Sequence, residues 1–163
     1  MKWGFELEFA APGVARKQLN ETLPSGFYCG IDHSANHGNN HGLELRTNKI
    51  FRQGLPRKKF AQSIDLIRSN NGYIHKMCGF HVHFSGFGEM DMRKILEFFN
   101  SLRSSNWRSR RSYCGYDLGS RYAPVRLVEG DHYEIRVFNA SLSLRAICHH
   151  YALTRRAIKI GRI

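Results

Sequence analysis

Phe5-Glu6-Leu7-Glu8-Phe9 alternates apolar with acidic side chains near the start of a 163-residue chain. Residues two apart on an extended strand point to the same face, about 6–7 Å from one another. The run therefore predicts a strand over residues 2–10, with Phe5, Leu7 and Phe9 on one face and Glu6 and Glu8 on the other. The same spacing of two polar residues around one apolar residue recurs in Glu44-Leu45-Arg46, His81-Val82-His83 and Glu134-Ile135-Arg136, each inside a strand-like run. Four such pairs imply one sheet face carrying carboxylates and imidazoles with two arginines beside them. The alternative for each pair taken alone is a solvated outer face, where a one-sided sheet ordinarily puts its charges.

Outward from these runs the pattern alternates between period two and period 3.6. After Pro12 a short helix is expected to about Leu23, then a strand over Phe27–Ile31 and a loop from Asp32 to His41 that feeds a strand at 42–48. Pro56 opens a helix in which Phe60, Ile64 and Ile67 make an apolar stripe, and Asn70-Asn71-Gly72 stops it. A strand over 79–85 follows. Asp91 suits the N-cap of the next helix, with Ile95, Phe98, Phe99 and Leu102 as its buried stripe. Residues 106–121 read as irregular and arginine-rich. Residues 122–128 and 132–138 flank a short glycine-containing loop and read as antiparallel neighbours. A final helix is expected from Ser141, carrying Leu144, Ile147, Tyr151 and Ile158. About six strands and four helices make an α+β domain, largely antiparallel, its sheet covered on one face, and a single domain over 1–163.

Lys plus Arg number 25 against 13 for Asp plus Glu, a net charge of +12. Such a surface attracts nucleic acid, anionic lipid or phosphorylated small molecules without choosing among them. The opening Met1-Lys2-Trp3-Gly4 leads into no long apolar run, so neither a secretion signal nor a membrane span is expected, and a cytoplasmic location follows. Cys29, Cys78, Cys114 and Cys148 stand far apart with no Cys-x-x-Cys, which fits reduced thiols and argues against a zinc knuckle. No Walker or dinucleotide glycine motif occurs.

A carboxylate on a half-buried sheet is costly unless something offsets its charge, and Mg²⁺ or Mn²⁺ would do so while leaving coordination positions for a substrate phosphate. The Asp32–His41 loop holds His33, His37 and His41 at intervals of four, which would line one helix face, but its glycine and asparagines oppose a helix. Asp32 suits either a turn-forming role or a polar contact to a ligand. Arg103, Arg108, Arg110 and Arg111, interleaved with Trp107 and Tyr113, fit a nucleic-acid groove, a phosphate clamp or a solvated loop.

In chain order, Gly4-Phe5-Glu6-Leu7-Glu8, Asp32-His33-Ser34 with Gly42-Leu43-Glu44-Leu45-Arg46, Cys78-Gly79-Phe80-His81-Val82-His83 and Tyr133-Glu134-Ile135-Arg136-Val137-Phe138 resemble the amidoligase family. Arg110-Arg111-Ser112-Tyr113-Cys114 and Arg121-Tyr122 extend the resemblance. These are carboxylate-amine ligases related to glutamine synthetase and glutamate-cysteine ligase. The resemblance implies a glutamine-synthetase-like antiparallel sheet forming a cleft, with helices packed on its other face. It also implies ATP held over two or more Mg²⁺ or Mn²⁺ ions and an acyl phosphate attacked by an amine. Glu8 and Glu44 would then hold the metal nearer the carboxyl substrate, and Glu6, His81 and Glu134 the metal that bridges the ATP phosphates. Arg136 would steady the transferring phosphoryl group, Arg46 and His83 would contact substrate, and Arg110, Arg111 and Arg121 would contact nucleotide or substrate.

The chain is compact for such an enzyme, which leaves room for a homo-oligomer in which a second copy completes the cleft. The acid and amine could be carried by a peptide or nucleic acid. Two other classes share the sequence features. One is a basic nucleic-acid-binding protein on a catalytically inactive ligase scaffold; the other is a metal-dependent phosphohydrolase or nuclease.

Overall fold

The alternation around Phe5 places strand β1 (Lys2–Ala11) at the middle of the sheet, where both its edges are paired. The computed structural model describes residues 1–47, 51–52, 54–102 and 123–163. Its strands continue with β2 (Phe27–Ile31), β3 (His41–Thr47), β4 (Gly79–Ser85), β5 (Val125–Glu129) and β6 (His132–Asn139). Their order is β2-β3-β1-β4-β6-β5, and every neighbouring pair is antiparallel. Four α-helices are present among the described residues: α1 (Ala15–Thr22), α2 (Arg57–Ser69), α3 (Met92–Ser101) and α4 (Leu144–Gly161). The α+β class and the antiparallel sheet are thus as expected.

The apolar face of the sheet carries Phe5, Leu7, Phe9, Leu43, Leu45, Phe80, Val82 and Ile135, all buried. Phe5 packs edge-on to Phe60 of α2 at 5.5 Å and to Tyr151 of α4 at 5.9 Å, and lies parallel to Phe80 at 6.2 Å. Each such pair adds about 0.5–1.5 kcal/mol beyond area burial. Phe60, Ile64 and Ile67 are the buried stripe of α2, and Ile147, Ala157 and Ile158 are the apolar members of the buried face of α4.

Helix ends follow the sequence with small shifts. The Asp91 carboxylate accepts from the Arg93 and Lys94 amides and so starts α3. Asn71 at φ 58° and Gly72, whose amide donates to Ile67, terminate α2. Pro56 sits one position earlier than expected, at the N-cap of α2. The last helix begins three residues after Ser141, because the Ser141 hydroxyl accepts the Ser143 amide while Ser143 itself stays extended and caps α4.

The loop between β2 and β3 is organised by Asp32, whose carboxylate accepts from the Ser34 amide and hydroxyl and caps a single 3₁₀ turn over His33–Ala35. The turn lies so close to β3 that a Cβ on Gly42 would come within 1.9 Å of the Asp32 carbonyl oxygen. Asx-turn chemistry is therefore the role of Asp32. The three histidines do not converge: His37 stacks on His75 at 4.6 Å, and none of the three belongs to a metal-compatible group among the described residues. No described helix is long and apolar enough to cross a membrane. Cys29 and Cys148 are free thiols, while Cys114 lies outside the described residues.

Phe5 ties β1, β4, α2 and α4 together. Phe5→Ala should lower unfolding free energy by about 3–5 kcal/mol in urea titration, since truncating a buried ring loses both transfer energy and packing.

Candidate metal centre and cleft

Strand register brings all four polar pairs to one face. Glu6 stands between Arg46 on β3 and His81 on β4, Glu8 stands opposite Glu44, and His83 stands opposite Glu134. One irregularity sharpens this arrangement. Between the Phe80–Phe138 and Val82–Ile135 pairs, His81 alone faces both Arg136 and Val137, a bulge on β6 beside the carboxylates. Bulges of this kind re-aim side chains next to functional sites. Half of the face is withdrawn from solvent: Glu8 and Glu44 are 4% exposed, His81 2% and Glu134 1%, while Glu6, Arg46, His83 and Arg136 are partly exposed.

His81 occupies the centre. Its Nδ1 lies 3.1 Å from Glu6 Oε2 and 3.5 Å from Glu134 Oε1, and its Nε2 lies 3.3 Å from Glu8 Oε1. Glu8 is also fixed by the Gly79 amide, which donates to its Oε2 at 2.5 Å. His83 Nε2 is 3.4 Å from Glu6 Oε1 and 3.8 Å from Glu134 Oε1, while its Nδ1 meets His132 Nε2 at 3.1 Å. Arg126 Nε donates to Glu134 Oε2 at 2.5 Å and Arg136 Nη1 to Glu134 Oε1 at 3.2 Å. Arg46 pairs with Glu44 and reaches Glu6 at 3.7 Å.

The charges act on one another. Burial pushes the Glu6 carboxyl upward, but the hydrogen bond with His81 and the positive charge of His81 and His83 outweigh it and hold Glu6 far below the usual carboxylate range. Glu134 is likewise opposed by burial and is held low by His81, His83, Arg136 and Arg126. Glu44 goes the other way. Burial lifts it to about 7, and the charges of Glu6 and Asp32 add to the rise, so the neighbouring Arg46 does not cancel it. Burial and the adjacent His83 lower His132.

Among the described residues one group offers converging metal ligands: one atom each from Glu6, His83 and Glu134, all within 4.8 Å of one another. His83 Nε2 and His81 Nε2 are buried with no hydrogen-bond partner, although carboxylate oxygens lie 3.3–3.4 Å away. Neighbouring ligands of a small divalent ion with bonds of about 2.1 Å lie about 3 Å apart, whereas His83 Nε2 lies 3.4 Å from Glu6 Oε1 and 3.8 Å from Glu134 Oε1, so the group must contract to close on an ion. The donor set fits Mg²⁺ or Mn²⁺, and the imidazole favours Mn²⁺ of the two.

The structure brings together part of the residue set expected from the sequence. Glu6 and Glu134 converge as expected, but His83 joins them, while His81 sits in the hydrogen-bonded centre of the carboxylates. Glu8 and Glu44 face each other without forming a three-ligand group among the described residues. Arg46 and Arg136 are in place. Arg110, Arg111 and Arg121 lie outside the described residues.

Two participants were missed. His132 precedes Glu134 by two on the same strand, so the spacing that revealed the pairs also pointed to it. Arg126 faces Glu134 across the β5–β6 hairpin, a position legible only once the register is fixed.

Beside the convergent group opens a cleft of ≈ 380 Å³ lined by Lys2, Glu6, Tyr28, Arg46, His83 and His132, among others. Gly4 helps keep it open, because a Cβ there would come within 3.3 Å of the His83 Cβ. Comparison with known proteins finds no matching family model, no matching curated protein and no matching solved structure.

Glu44 gives a pH dependence whose sign follows from the direction of its shift. Between its ordinary value of 4.5 and about 7 the folded protein keeps a proton that the unfolded chain has lost. Stability from this group is therefore present at low pH and is lost as pH rises through about 7. Denaturant unfolding of the metal-free parent and of Glu44→Gln should give a difference in stability that falls across that window and then levels. A difference independent of pH would contradict the shift.

Proposed function

We propose that the chain is an ATP-dependent carboxylate-amine ligase that forms an amide or isopeptide bond through an acyl phosphate. The observation that carries this reading is the convergence of Glu6, His83 and Glu134 on one sheet face, with Arg46 and Arg136 beside them and a cleft adjoining. The order of the motifs, which resembles the amidoligase pattern, supports it, and so does the six-stranded antiparallel sheet with its helices on the opposite face. A cleft of ≈ 380 Å³ is within the range that small-molecule sites occupy.

In this reading a carboxylate oxygen of the acid attacks the γ-phosphorus of ATP, the bond to the β-phosphate oxygen breaks, and ADP leaves. The amine then attacks the acyl carbon, phosphate departs with the electrons of the carbon–oxygen bond, and the amine loses a proton. Bound Mg²⁺ or Mn²⁺ would supply positive charge to the phosphate oxygens. Glu6, Glu134 and His83 would hold that charge, and the paired Glu8 and Glu44 would serve a second ion nearer the acid. Arg136, positioned by its contact with Glu134, can donate two parallel hydrogen bonds to the moving phosphoryl group. Arg46 borders the cleft and can meet the carboxylate of the acid. Positioning and electrostatic compensation are most of what phosphoryl transfer requires of a protein.

One feature also suits a metal-dependent phosphohydrolase. The imidazole in the convergent group, backed by a second histidine, is a donor set that two-metal hydrolysis uses as well. The two readings separate on product formation. A ligase releases ADP and phosphate only when an acid and an amine are both supplied, whereas a hydrolase cleaves a phosphate ester without either.

With Mn²⁺, ATP and a panel of acids and amines, ADP release should require both co-substrates. Glu134→Gln should lower turnover by about 100-fold or more, with the fold checked by circular dichroism, because removing one member of a buried charge cluster can itself destabilise. Arg136→Lys, which keeps the charge but loses the planar fork, should lower turnover while leaving Mn²⁺ affinity near that of the parent. Full activity of both variants would overturn the assignment.

A further inference from the structure

Away from the carboxylate face lies a second concavity of ≈ 250 Å³, lined in part by His75, Lys76, Asn139, Ser141 and His150. Ala146, in the first turn of α4, also borders it. The first amides of a helix have no acceptor within the helix and carry its positive dipole end. Here Ser143 Oγ accepts the Ala146 amide at 3.4 Å, and the first turn contains no acidic side chain. It contains Arg145 instead, and Arg68 donates to the Leu142 carbonyl at 2.6 Å just before the helix. Cations gathered at the positive end of a helix repel one another unless an anion joins them.

His150 supplies an independent observation. It is 2% exposed, and neither ring nitrogen has a hydrogen-bond partner. Phe138 stacks on one face of its ring at 4.5 Å and 11°, and the residue lines the concavity. Buried polar groups are almost always hydrogen-bonded, and exceptions call for a cause. Burial, with the charge of His149 adding to it, lowers His150 to about 4. The ring is therefore neutral at physiological pH and offers one N–H and one lone pair.

We propose that this concavity is a binding site for a phosphate group, held by the Lys76 ammonium and the His150 N–H beside the positive end of α4. Helix N-termini with a nearby cation are suited to tetrahedral oxyanions. The volume accommodates one phosphate group and a small organic portion, not a polymer. The same chemistry is presented by free inorganic phosphate and by a small phosphomonoester. The site does not depend on the ligase reading, and its test uses no turnover.

Amide and imidazole NMR signals followed during titration with inorganic phosphate, then with glycerol 1-phosphate, at matched ionic strength, provide that test. Phosphate should shift the Lys76 and Ala146 amides, which border the concavity, and move the His150 titration upward from about 4. Lys76→Ala, on an exposed side chain, should weaken binding by about tenfold. His150→Phe, which retains a ring against Phe138, should weaken it further while melting like the parent. Tighter binding of glycerol 1-phosphate would assign the site to phosphomonoesters, and equal binding would assign it to free phosphate. Amides that stay still, chloride that reproduces the shifts, or variants that bind phosphate like the parent would overturn the proposal.

Discussion

Four carboxyl groups crowd the polar face of one sheet, and compensation of their charge is the condition on which that face depends. Glu6 and Glu8 come from β1, Glu44 from β3 and Glu134 from β6, with β4 and its histidines between β1 and β6, and three of the four are almost completely buried. A buried carboxylate without partners would cost several kcal/mol. The structure answers with imidazoles in the centre and guanidinium groups at the flanks: His81 reaches three of the acids, and Glu134 is held between Arg126 and Arg136. Glu44 marks where compensation falls short, since its carboxyl rises to about 7 with Arg46 beside it. The unpartnered nitrogens of His81 and His83 mark the same deficit from the other side. A divalent cation between Glu6, His83 and Glu134 would relieve the excess of negative charge and give the His83 nitrogen a partner.

Most of the fold was legible because it rests on periodicity. Alternation around Leu7, Leu45, Val82 and Ile135 sets which face of each strand is buried, and the antiparallel order then puts the four polar pairs side by side. Helix starts were legible where one side chain was the evident cap, as Asp91 is, and shifted where two neighbouring serines could serve, as Ser141 and Ser143 do ahead of α4. The site was legible in membership more than in division of labour. Spacing shows that His81 and His83 share a face. It does not show that a bulge opposite His81 sets Arg136 and Val137 against a single residue, and pairing geometry across strands is not encoded in either strand alone.

The His83–His132 contact illustrates the same limit. A histidine that binds metal through one nitrogen is ordinarily oriented through the other, and here His132 is the group on that second nitrogen. His132 continues the period-two pattern of β6, but its importance arises from the turn at Gly130, with φ 56°, which brings β5 and the start of β6 together. A positioning residue of this sort carries no motif of its own. It becomes visible when the ligand it supports has been located.

Among the described residues much of the positive charge sits on the helices rather than on this face. On the site face the arginines are matched by carboxylates, whereas α1, α2 and α4 present Arg16, Lys17, Arg57, Lys58, Lys59, Arg68, Arg145, Arg155, Arg156 and Lys159 against only Glu21 and Asp65. The long-range field therefore draws anions toward the molecule, while the cleft next to Glu6 and Glu134 repels them at short range. In the ligase reading, positive charge added between those acids would let a phosphate-bearing substrate settle there. In the ligase reading this imposes an order, with the divalent ion arriving before or together with the nucleotide. The general basicity then serves encounter, and the local acidity makes occupancy conditional on the ion.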